Sequence, residues 1–209
     1  MKKLSLIALL IAISGVIFAQ QTISFNDYIK DDQVDDQRVQ TVFNSFEVKR
    51  ISGFGGPTVS YSTINGEMAV ISGGGGGIII NNLFVGGYGE GLSNIIKAST
   101  EPGSEDIQFG HGGFWLGYEI APSKMIHPVI SSRLGWGSIK GIDKEYSGRT
   151  DNVFVVVPTL SAEINFTRFF KVNVGVEYRQ VLGISSNSIL GNNDFSNVGV
   201  FTSFIFGWF

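Results

Sequence analysis

Serine, histidine and carboxylate side chains are the usual parts of a hydrolytic site, and this 209-residue chain has only two histidines, His111 and His127. Around His127 a Ser/His/Glu set can be written. A hairpin folded about 121–125 sets Glu119 across from His127, and Ser131 lies four residues further along the same face. The distances defeat it: a nucleophile must be within hydrogen-bond reach of its base, whereas residues i and i+4 on a strand are about 13 Å apart. No HExxH pair, glycine-rich phosphate loop or ligand-spaced acidic motif occurs. No catalytic residue, metal site or cofactor is therefore expected, and the chain reads as a non-enzyme.

The elements that carry these residues are strands. From residue 51 onward, eight apolar-rich segments (53–64, 67–80, 83–92, 106–120, 126–138, 152–166, 170–183 and 195–209) are separated by turn signals. In the seventh, Phe170, Val172, Val174, Val176 and Tyr178 alternate with Lys171, Asn173, Gly175, Glu177 and Arg179, the period-2 pattern of a half-buried strand. The connections alternate in length. Asn81-Asn82, 121–125 and 167–169 are tight, whereas 93–105, 139–151 and 184–194 are long and polar; short turns at one end and long loops at the other are the habit of membrane barrels. Only Asn65-Gly66, the strongest two-residue hairpin signal, is tight at the long-loop end. Aromatic residues cluster at the two ends, Tyr118, Phe166, Phe170 and Trp208 near the short turns and Trp136, Phe154 and Tyr178 near the loops, as two interfacial girdles require.

The amino terminus fits export. Lys2 and Lys3 precede an uncharged apolar stretch at 4–18 that ends in Ala19, a secretory signal peptide. Removing 19 of the 209 residues leaves 190 and, with two lysines gone, takes the formal charge from −3 to −5. A nucleic-acid partner is excluded for want of a basic stripe. The absence of cysteine rules out disulfides, thiolate metal sites and a lipid anchor on cysteine. Residues 20–50 differ in composition: Asp27, Asp31, Asp32, Asp35 and Asp36 precede Val39, Val42, Phe43 and Phe46 at helical spacing, with Lys49-Arg50 behind. They form a periplasmic extension, either a short helix over the barrel floor or a solvated tail, and lack the spaced Gly and Glu of a Ca²⁺ loop.

The chain stops at Phe209 within FIFGWF, and here it resembles the small eight-stranded outer-membrane β-barrel proteins, whose last strand ends in phenylalanine as an assembly signal. The resemblance spans the signal peptide and 51–209; it departs at Gly207 and Ser203, where the family has further apolar residues in step with the terminal one. It implies an all-β, antiparallel up-and-down transmembrane barrel in the outer membrane of a Gram-negative envelope. Bilayer lipid, the barrel assembly machinery and another envelope protein are its implied or candidate partners.

Within such a barrel two features stand out. Two-residue turns at Asn65-Gly66 and Asn81-Asn82 set Gly55 opposite Gly76, Gly76 opposite Gly87, and Gly74 opposite Gly89. The five-glycine run of VISGGGGGIIINNL is thus the middle of a glycine belt. Either it leaves room for inward Phe84 and Tyr88, or its bare outer wall (Gly55, Gly74, Gly76, Gly87 and Gly89) docks a partner. The inward phase carries Glu90, Glu119, His127, Arg133, Glu163, Lys171, Glu177 and Arg179. Glu90, Arg133, Glu177 and Arg179 are expected at mid-height and the other four lower. Buried charges must pair, so this lumen network reads as a salt-bridged plug of a structural or interaction module; a small gated channel is the alternative, and a lipid-modifying enzyme the third.

Overall fold

The computed structural model describes residues 48–98, 106–141, 150–186 and 188–209. The expected signal peptide and most of the expected acidic extension, up to residue 47, lie outside the described residues.

Alternating polarity is expressed as alternating burial along nearly every strand. The strands are β1 (Ile51–Ile64), β2 (Glu67–Ile80), β3 (Leu83–Leu92), β4 (Gln108–Glu119), β5 (Ile126–Lys140), β6 (Thr150–Asn165), β7 (Phe170–Tyr178), β8 (Gln180–Leu182) and β9 (Val198–Gly207). Neighbours pair antiparallel, and β9 pairs with both β7 and β1 to close the sheet. β7 and β8 both pair with β6 and make one stave interrupted at Arg179, whose N–H donates to Asn197 O at 2.9 Å. The result is a closed eight-stranded up-and-down barrel. Closure leaves no exposed sheet edge.

Turn chemistry sets the first registers. Asn65 and Gly66 have φ of 52° and 78°, the left-handed pair that a tight hairpin turn demands, and β1 pairs with β2 from Ile64↔Glu67 to Ile51↔Ile80. Asn81, at φ 57°, also accepts the N–H groups of Lys49 and Arg50 at 2.8 and 3.2 Å, tying the entering chain to the β2–β3 turn. The β4–β5 connection behaves differently. Glu119 faces Val129, and Ile120 N–H donates to Pro128 O at 2.9 Å, so the expected Glu119–His127 pair across this hairpin does not form. His127 instead faces Glu163 of β6. A longer loop, here with Ala121 at φ 55°, does not dictate register as a two-residue turn does.

The wall is apolar where that of a water-soluble protein would be polar, and buried charges lie inside it alongside apolar packing. Ile78, Val85, Leu116, Ile130, Leu160, Val174, Val176, Val200 and Phe204 are exposed along the outside, with Tyr118, Phe166, Phe169 and Trp208 at the short-turn end and Tyr61 and Trp136 toward the loops. Inside, the loop half of the lumen is apolar: Ile64, Ile71, Ile139, Val153, Val155 and Val181 pack with Ile96, Ile107, Leu190 and Phe195 from the connections. Phe195 belongs to a single helical turn, α1 (Asn192–Phe195), in the β8–β9 connection, and Asn65 N–H donates to Asp194 O at 3.0 Å. The connection 184–194 reads as long and polar, yet Leu190 and the adjoining Phe195 turn into the barrel, while Ile189 stays exposed.

Candidate functional site

Two ionic clusters lie inside the barrel, one at mid-height and one on the floor near the short turns. The period-2 phase of each strand points their side chains inward. At mid-height Arg133 of β5 bridges Glu90 of β3 and Glu177 of β7, one guanidinium nitrogen to each carboxylate. All three side chains are at most 5 % exposed. The rings of Tyr88 and Phe201 lie 5.9 and 5.6 Å from the guanidinium carbon. A planar fork suits a cation that must hold two carboxylates at once. His111, which carried no sequence-derived role, joins this cluster: its Nδ1 is 3.0 Å from Tyr88 OH and its Nε2 3.8 Å from Glu90. Arg179 stands above. It donates to Phe195 O at 2.9 Å and Ser62 Oγ at 2.8 Å, so its bonds go to the loop and β1 and not to a carboxylate.

On the floor, Lys171 Nζ is 3.1 Å from Glu119 and 2.6 Å from Glu163, and its ammonium sits 4.1 Å from the centre of the Phe209 ring. Phe209 therefore shares the inward side of β9 with Ser203 and Gly207, leaving Trp208 as the outward aromatic. His127 Nε2 is 3.2 Å from Glu163. Arg50, 37 % exposed, reaches Glu119 from the entering chain at 3.4 Å.

An aromatic and hydroxyl layer separates the clusters. Phe54, Phe84 and Trp115 meet edge to face with centroids 5.4 to 5.5 Å apart, a favoured arrangement of ring quadrupoles. Trp115 Nε1–H donates to Ser131 Oγ at 3.3 Å, and Ser131 is bonded to Thr159. Ser131 thus serves this layer, remote from any role beside His127. One inward glycine makes room for a ring, since a Cβ at Gly117 would lie 2.3 Å from Phe84, whereas at Gly75 and Gly135 the nearest obstacle is a carbonyl oxygen of the neighbouring strand, at 2.6 and 2.4 Å.

On the outer face, Gly55, Gly76 and Gly87 form one cross-strand row and Gly74 and Gly89 part of the next. They are not equivalent. A Cβ at Gly74 or Gly76 would lie 2.7 or 2.6 Å from a neighbouring carbonyl oxygen, whereas one at Gly55 or Gly87 makes ordinary contact and one at Gly89 meets nothing within 4 Å. Backbone proximity accounts for the first pair and leaves the bareness of the others unexplained by packing.

No family model matches the sequence, and no curated protein is similar to it in sequence. Solved structures are similar in fold. Neisserial surface protein A superposes with a TM-score of 0.55 at 12 % identity, covering 76 % of this chain and 96 % of its own. The N-terminal β-barrel domain of Pseudomonas aeruginosa OprF gives 0.48 at 13 % identity, covering 74 % and 97 %. Ail of Yersinia pestis, the attachment invasion locus protein, gives 0.44 at 13 % identity, covering 76 % and 97 %. At 12 % identity the first of these likenesses is one of architecture, and together with the closed antiparallel sheet it gives this chain the fold of the small eight-stranded outer-membrane β-barrels.

Proposed function

We propose that the chain is an integral outer-membrane protein, exported with its first 19 residues removed, whose barrel acts as a structural or interaction module with an ion-paired plug in its lumen. The observation that carries this reading is the inversion of polarity. Arg133, Glu90 and Glu177 are buried at the centre while Leu160, Val176, Val200 and Phe204 face outward between aromatic ends, an arrangement that hydrocarbon stabilises and water does not. The apolar cluster above the mid-lumen ions supports a non-conducting role, because a solute would have to cross both an ionic lock and a dry layer. In fractionation the protein is expected with outer membranes, migrating faster unheated than boiled; recovery as a soluble periplasmic protein sinks the proposal. In planar bilayers the wild type should conduct little. Steady currents of fixed size would instead favour the small channel.

The interaction half of the proposal rests on the outer glycines that packing does not require. Gly89→Val should fold normally, since its Cβ has open space. A protein that co-purifies with the wild type after gentle detergent extraction and is lost from Gly89→Val would mark the belt as its docking face. If nothing is lost, the belt has no such role.

A further inference from the structure

The floor cluster holds more acceptors than the ion pairs use. Glu119, His127 and Glu163 each offer a ligand atom, all within 4.8 Å of one another, and all three residues are buried. His127 Nδ1 lies 3.2 Å from the carbonyl oxygen of Lys124. A carbonyl only accepts, so Nδ1 is the donor in this bond. Nε2 faces a Glu163 oxygen at 3.2 Å without forming a hydrogen bond to it, and has no other hydrogen-bond partner among the described residues. With a neutral ring, Nε2 is an acceptor facing an acceptor, an arrangement that a cation bound between the two relieves. An imidazole whose far nitrogen is fixed by a backbone carbonyl is also the usual second-shell arrangement of a metal-bound histidine.

A separate observation comes from β7. Asn173 faces Glu163 across the β6–β7 ladder, is 4 % exposed, and its Oδ1 is buried without a donor. It lines a small cavity together with Glu119, Glu163, Phe54, Phe84 and Trp115. We propose that the floor of the lumen is a binding site for a divalent transition metal of the Zn²⁺ class, with His127 Nε2, Glu119 and Glu163 as ligands and Asn173 Oδ1 beside them. One imidazole with carboxylate oxygens is a donor set that suits such ions. Lys171 is the resident competitor, since its ammonium already sits between the two carboxylates. When the metal enters, its two positive charges balance Glu119 and Glu163, and Lys171 withdraws along the Phe209 ring that it already touches. Arg50, partly exposed, turns to solvent. The site rests on the barrel fold and not on the plug or on a membrane location.

The test uses the full chain, untagged, refolded in detergent near neutral pH. Co²⁺ is titrated for its visible d–d absorption, and Zn²⁺ is titrated against a chromophoric chelator. The wild type should bind one equivalent saturably. His127→Gln should weaken binding by about 100-fold, the upper end of what disturbing a metal's surroundings costs, while His111→Gln, at the other histidine, should leave it unchanged. Lys171→Met should tighten it by about tenfold, because a competing charge is gone. Heat-modifiable migration checks that each variant is folded. Absence of saturable binding in the wild type overturns the proposal whatever Lys171→Met does, and so does binding that survives His127→Gln, since that would place the metal on surface carboxylates.

Discussion

The mid-lumen and floor clusters have the same formula, one cation between two carboxylates from other strands, yet they differ in the cation and in the surroundings. Arg133 is clamped between two aromatic rings, with apolar packing above and the Phe54–Phe84–Trp115 layer below. Lys171 is a point charge on the floor, beside a partly exposed Arg50 and a histidine whose Nε2 makes no hydrogen bond. The difference teaches that a buried ion pair in a barrel can be a lock or an exchangeable site. What decides is whether the cation can be replaced without leaving a carboxylate dry and unpaired.

The largest effect should come from Arg133→Ala, which strands two carboxylates in a sealed layer and should cost about 3–5 kcal/mol of stability, read by thermal unfolding in detergent. Conductance in planar bilayers should stay low in the same variant, because the apolar layer above the lock is intact. Arg133→Lys sharpens the comparison: a single ammonium cannot give a separate nitrogen to each carboxylate as the planar fork does, so about 2–3 kcal/mol should be lost despite the conserved charge. Lys171→Met should cost less, about 1–2 kcal/mol, because Arg50 still neutralises part of the floor. Smallest is Arg50→Ala, below about 1 kcal/mol as for exposed pairs, and screened by salt. If Lys171→Met proves as damaging as Arg133→Ala, the distinction between lock and exchangeable site collapses.

Much of this molecule was legible because it is local. Period-2 alternation told inward from outward residues on β6 and β7, and the tight turns at Asn65-Gly66 and Asn81-Asn82 set the pairing of the glycines, which the β1–β2 and β2–β3 ladders show. Where a loop is longer the local rule lapses, as in the two-residue displacement of His127 from Glu119. Arg179 shows another limit. Its phase is inward, but the chain break that aims it at Phe195 O depends on a loop that returns from fifteen residues away or more.

By itself, then, the sequence determined the number of staves, the face on which side chains stand in every strand but the last, and the register of the first two hairpins, since each depends on a few bonded neighbours; that Phe209 faces inward came from the fold. Counting from the short turns sets Arg133 level with Glu90 and Glu177, and only the tertiary structure decided which charges of a level meet. Arg133 finds Glu90 and Glu177 at sequence separations of 43 and 44, on strands that are not its neighbours in the sheet. His127, Glu163 and Glu119 converge although no motif links them. The height of a side chain inside a barrel is set by the tilt and stagger of the closed sheet, a property of all the strands together that no single segment encodes.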